Sequence, residues 1–217
     1  MSYEVESKTL PGGHRVAVEY DPDPYNPRKE FDYLGTVVLV DRCRYNFGDE
    51  AASVEELREI YEDPANIALP VFMYDHSGIT INTTGFSCRW DSGQVGIIYM
   101  TKAKAAENWG KKIVTAKVRE AAIKCLQAEI EELDNYLTGQ VYGFRVYDPE
   151  GEELDSCWGF FGDSAYCLAE GLASAEYYEK QAATEASEVA YWQTRDIQTR
   201  SEEHTSELQS HLNLVCR

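Results

Sequence analysis

The chain has 217 residues, 43% of them hydrophobic and 12% aromatic, with 20 Lys and Arg against 38 Asp and Glu, a net charge of −18. The aromatic content argues for a packed core and against disorder, and so acidic a surface repels nucleic acid unless its positive charge is gathered in one place. No apolar run approaches the roughly 18 residues of a membrane span, and no charged-then-apolar leader opens the sequence, so a soluble cytoplasmic protein is expected.

Along the chain, residues 3–8 and 14–20 flank Pro11-Gly12-Gly13, and Val16, Val18 and Tyr20 alternate with polar or small positions, which predicts a β-hairpin with one buried face. Three prolines between Asp21 and Tyr33 predict an irregular loop. Leu34 to Val40 is a short β-branched run that suits a central strand, followed by a polar turn in which Gly48 is placed for a positive φ. Ser53 and Glu56 form a capping box ahead of a short amphipathic helix that Pro64 ends.

Ile67 to Tyr74, Ile79 to Thr84 and Val95 to Thr101 read as strands. Thr115 caps a long helix in which Val118, Ala122, Leu126, Ile130, Leu133 and Leu137 recur at three- and four-residue steps, and Gly139 ends it. Val141 to Tyr147 and Leu154 to Phe161 pair across the turn Asp148-Pro-Glu-Gly151. From Asp163 the pattern is helical, with a break expected at Gly171. Grouped strands with inserted helices predict an α+β fold: a mainly antiparallel sheet packed by the long helix, against Val141, Val146 and their neighbours, with a C-terminal helical extension over about 163–199.

Residues 1–199 are expected to form one domain. Arg200 to Ser210 resembles translated sequencing-adapter read-through over eleven consecutive residues, so 200–217 is expected to be a non-native, poorly packed tail. Without it the acids outnumber the bases 35 to 18, a net −17. Two histidines remain, His14 and His76, and five cysteines with no C-x-x-C pair, which fits reduced thiols and gives no zinc-site spacing.

Three motifs combine small residues, a carboxylate and an aromatic: Tyr74-Asp-His-Ser-Gly78, Phe86-Ser-Cys-Arg-Trp-Asp-Ser-Gly-Gln94 and Asp155-Ser-Cys-Trp-Gly-Phe160. If their loops converge, they form the best site in the chain. The enzymatic version has Cys88 as nucleophile, His76 as base and Asp91 or Asp75 orienting the imidazole. The competing reading makes Asp75, Ser77 and Gly78 turn formers, Cys88 a small filler and Trp90 a core aromatic. A carboxylate metal site from Asp75, Asp91 and Asp155 is a weaker alternative, and neither a metal nor a cofactor is expected.

Charge is also segregated. Seven bases against two acids lie between Lys102 and Lys124, and fifteen acids against two bases between Glu129 and Glu188. The long helix thus carries Lys111, Lys112, Lys117 and Arg119 near its N-terminus and Glu131, Glu132 and Asp134 near its C-terminus, against its macrodipole at both ends. Such a pattern serves either a solvated face or a partner, so Lys111, Lys112, Lys117 and Arg119, together with Asp155 and Trp158, are candidate binding residues. Weak nucleic-acid binding through Lys102–Lys124 is a further alternative.

The three motifs, with Leu69-Pro70, Tyr136-Leu-Thr-Gly139, Val141-Tyr-Gly-Phe144 and Arg44-Tyr-Asn-Phe-Gly-Asp-Glu50, resemble a family of hypothetical proteins found in bacteriophages, prophages and mobile elements. The resemblance covers about residues 34–180, and the insert before Leu69 is shorter here than in many relatives. It implies no catalytic residues. It implies a phage accessory protein in the bacterial cytoplasm, and with the strong negative field, suited to a cationic nucleic-acid groove, it leads to the expectation of a host or defence-system protein as partner, as for an anti-restriction or anti-CRISPR factor. The alternative is a small hydrolase or nucleotide-modifying enzyme using the Asp75-His76, Cys88-Asp91 and Asp155-Cys157 loops.

Overall fold

The structure is a computed structural model that describes residues 3–215, with side chains over 3–195. The expected poor packing of 200–217 lies outside the described side chains. The fold is α+β, and the mainly antiparallel pairing is divided between two sheets, each with its own helix.

The first sheet has the order β1-β2-β8-β9 and is antiparallel throughout. Its strands are β1 (Glu4–Thr9), β2 (Arg15–Tyr20), β8 (Val141–Tyr147) and β9 (Glu153–Phe161). The Pro11-Gly12-Gly13 hairpin and the Asp148–Gly151 turn form as expected, the latter with the Gly151 amide on the Asp148 carbonyl and a positive φ of 93°. Val16, Val18, Phe144 and Val146 make one buried face.

That face is covered by α5 (Ser164–Val215), through Cys167, Leu168, Leu172 and Ala175. Two expectations change here. Val146 packs under α5, and not under the long central helix. The helix also continues through Gly171, because a Cβ there would run into Val16 and Phe144: the glycine lets helix and sheet approach, so it is a packing contact and no break.

The second sheet has the order β4-β3-β7-β5-β6, with β3 and β4 parallel and the other pairs antiparallel. It consists of β3 (Thr36–Val40), β4 (Glu50–Ala52), β5 (Asn66–Asp75), β6 (Ile79–Asn82) and β7 (Ser92–Thr101). Because successive strand residues face opposite ways, Ile67 and Val71 meet Leu126, Ile130 and Leu133 of α4 (Ala116–Leu137), while Val38 and Ile97 meet Leu57 of α2 (Val54–Glu62) on the other face.

Both helices start where expected. Ser53 and Glu56 make a reciprocal capping box, and Thr115 accepts from the Val118 amide. Gly139, at φ 71°, follows the end of α4. Two short helices were not expected: α1 (Pro27–Glu30) lies in the proline-rich loop, and α3 (Lys102–Asn108) directly follows β7. Gly48 does not take a positive φ; a Cβ there would press on Leu39 and the Val37 carbonyl, so close approach is what requires glycine.

Candidate functional site

Two of the three motifs meet at one end of the second sheet. The turn Tyr74–Gly78 joins β5 to β6, the segment Phe86–Ser92 leads into β7, and the Asp75 amide donates to the Asp91 carbonyl at 2.8 Å, which holds them together. Ser77 in that turn has φ 62°, the left-handed region that non-glycine residues seldom enter.

One carboxylate oxygen of Asp91 touches both His76 Nδ1, at 3.4 Å, and Cys88 Sγ, at 3.9 Å. Cys88 and His76 make no hydrogen bond to each other. A thiol nucleophile needs the imidazole on its sulfur and the carboxylate behind the imidazole. Here the carboxylate is the shared group, so the base that the triad reading requires is not on the thiol. His76 is 65% exposed and stacks on Tyr74, with ring centroids 5.9 Å apart. Asp75 faces another partner. Its Oδ2 accepts from the Tyr45 hydroxyl at 2.9 Å, and this bond, with partial burial, raises the Tyr45 phenol above its ordinary pKa.

Trp90, a core aromatic on the competing reading, is instead 94% exposed at the tip of the segment. Beside it lies a shallow cavity, open to solvent, of about 630 Å³ bordered by Phe72, Phe86, Cys88, Arg89 and Ser92. A second cavity, of about 440 Å³, runs between α2 and the sheet and is bordered by Leu57, Arg58, Tyr61, Pro70 and, again, Phe72.

The third motif does not join the other two. Asp155 and Cys157 lie on β9 of the first sheet and not in a loop, and Asp155 Oδ2 accepts from Ser174 of α5 at 2.6 Å. Among the described residues no group of three or more His, Cys, Asp or Glu is placed to hold a metal ion, so Asp75, Asp91 and Asp155 do not form a carboxylate site. Trp158 lies on the opposite face of the sheet from Asp155, over Gly143, with the Arg145 guanidinium 5.3 Å from its ring centre. These two candidate binding residues therefore do not act together.

The reversed charges of α4 divide in meaning. Asp134 Oδ1 accepts from the Ile81 amide at 2.7 Å and so pins β6 to the helix, while burial and then the Glu132 charge raise the Tyr33 phenol. Its C-terminal acids thus include structural groups. Lys111 and Lys112 lie in the loop before α4 and not on it; with Lys117 and Arg119 of its first turn they are exposed and form no ion pair among the described residues.

The densest polar constellation was not foreseen. Glu129, 5% exposed, accepts from the Leu34 and Gly35 amides at 3.0–3.1 Å, and its carboxylate pairs with Arg28 Nη1 at 3.1 Å. Arg28 also grips Asp49 and the Gly35 carbonyl, and its guanidinium lies 4.4 Å from the Tyr33 ring centre. Burial opposes the charge on Arg28, but its bonds to Asp49 and Glu129 outweigh this and raise its pKa. No local signal marks the group, because Arg28 and Glu129 are 101 residues apart.

Comparison with protein-family models, with curated proteins and with solved structures finds no match. No helix among the described residues is long and apolar enough to cross a membrane.

Proposed function

We propose that this chain is an accessory protein of a bacteriophage or mobile element that acts in the bacterial cytoplasm by binding a host or defence-system protein, in the manner of an anti-restriction or anti-CRISPR factor. The observation that carries the reading is α5. From residue 181 to 195 every position is exposed, including Val189, Tyr191 and Trp192. Tyr177 and Tyr191 lie about four turns apart, on the face opposite Ala175, which packs on the sheet.

An isolated helical segment of this length is marginal in water, and the adjacent exposed Tyr191 and Trp192 add apolar surface that a partner would bury. Tyr and Trp are also the residues that anchor protein interfaces. The stripe runs among Glu170, Glu176, Glu179, Glu185 and Glu188, in a chain of net charge −18. A partner with a basic surface, such as the nucleic-acid groove of a defence enzyme, is complementary to it.

The test is capture from bacterial lysate at physiological salt, using the full chain and the variant Tyr177→Ser/Tyr191→Ser/Trp192→Ser. A specific protein held by the parent and released by the variant, with unchanged melting, is expected. Recovery of no protein, or equal recovery by both, overturns the reading. A second reading, the small hydrolase or nucleotide-modifying enzyme, is favoured by the His76–Asp91 contact beside the Phe72–Phe86 cavity and opposed by the separation of Cys88 from His76. Hydrolysis of ester or nucleotide substrates that His76→Ala abolishes would establish it over the first. Binding through Lys102–Lys124 predicts retention on heparin that falls steeply with salt and is lost in Lys111→Glu/Lys112→Glu/Lys117→Glu.

A further inference from the structure

We infer that the cavity between Phe72 and Phe86 is a binding site for a small aromatic anion, a planar apolar ring carrying one carboxylate or sulfonate. This cavity belongs to the second sheet and shares no residue with the surface of α5. Phe72 borders both cavities on this face of the sheet, so its ring is a shared wall from which apolar surface continues past Pro70 towards Tyr61 and Leu57. The space, of about 630 Å³, is open to solvent on one side, so a ligand there would lie against Phe72 and Phe86 and not be enclosed.

The strand departs from regular pairing at this point. Val71 pairs with Gly96 and Phe72 with Gln94, leaving Val95 as an extra residue in β7, and such bulges re-aim neighbouring side chains. Gly93, next to it, borders the cavity, and a Cβ there would meet nothing within 4 Å.

The chemistry of the ligand follows from which polar groups remain available. The Thr84 and Gly85 amides both donate to Asn82 Oδ1, and Ser92 Oγ donates to the Cys88 carbonyl, so these groups are already satisfied within the loop. Arg89 is different. It borders the cavity, is exposed and forms no ion pair among the described residues, in a protein where acids outnumber bases 38 to 20. One free guanidinium with aromatic walls selects a single anionic group on a flat apolar body, and a polyhydroxylated ligand would find few partners. The second cavity fits an anion less well because Glu62 borders it beside Arg58.

Titration calorimetry of the full chain with 1-naphthaleneacetate tests this, with its methyl ester and decanoate as comparisons. Saturable binding of naphthaleneacetate is expected, with the ester and decanoate each weaker by about tenfold or more. Arg89→Gln should bring naphthaleneacetate down to the level of the ester. Phe72→Ala, which removes the wall shared by the two cavities, should weaken naphthaleneacetate by about tenfold or more. Absence of saturation, equal affinity for the ester or for decanoate, or unaltered binding in both variants overturns the inference.

Discussion

Two clusters of charged groups in this protein differ in almost every physical respect. Around Glu129, a buried carboxylate has each oxygen engaged by backbone amides or by Arg28, and the groups come from α1, the strand entry at Leu34–Gly35 and α4. Around Asp91, the carboxylate is 42% exposed on its side chain, its contacts are 3.4 and 3.9 Å long, and its partners come from adjacent turns. Electrostatics therefore matters for stability in the first cluster and little in the second. A buried charge must be matched completely or the fold loses several kcal/mol, whereas an exposed one is screened by water and its neighbours are optional.

Removing the buried carboxylate is the most direct challenge to this contrast. Glu129→Ala should cost about 3–5 kcal/mol in urea denaturation, because it leaves Arg28 and two amides short of a partner. Glu129→Gln should cost less, since its amide oxygen keeps one acceptor for the Leu34 and Gly35 amides. Asp134→Ala, which frees only the Ile81 amide of an edge strand, should cost about 1–3 kcal/mol.

Two thiols extend the contrast to pH. Burial, then the charge and hydrogen bond of Glu129, raise Cys125 to about 11, and burial with the influence of Cys157 raises Cys167 to about 12, against an ordinary 9.0. A raised folded-state pKa means that the folded chain holds the proton more tightly. Their contribution is therefore complete below about pH 9 and declines as pH rises towards 11 and 12. Cys125→Ala/Cys167→Ala should flatten the decline in melting temperature over that range. At neutral pH iodoacetamide should label exposed Cys157 well before buried Cys167, read by mass spectrometry. The smallest effect belongs to the exposed cluster: His76→Ala and Asp91→Ala should each change stability by no more than about 0.5 kcal/mol. A loss near that of Glu129→Ala would erase the distinction between the two regions.

Much of the local structure was legible. The capping box at Ser53, the cap at Thr115, the stop at Gly139 and the turn at Asp148–Gly151 are each decided by residues within a few positions of one another. The candidate site was partly legible, since the residue types of Tyr74–Gly78 and Phe86–Gln94 marked turns that do meet. Asp155 and Cys157 have the same composition but belong to another sheet, and composition does not encode which sheet a strand joins. Gly171 misled for a related reason: a glycine that ends a helix and one that lets a helix touch a sheet look alike until Val16 and Phe144 are in place.

Helices α2, α4 and α5, most of the strands and the acidic field were thus written in the chain itself. Capping, periodicity and turn chemistry act within a few residues, and net charge is a sum over the chain. The assembled fold alone set the division of the strands into two sheets, the covering of one sheet each by α4 and α5, the meeting of Arg28 with Glu129, and the place of Phe72 between two cavities. Those outcomes rest on contacts between segments far apart in the chain, whose free energy comes from burying matched surfaces and from satisfying buried charges. Neither quantity exists until the segments are brought together.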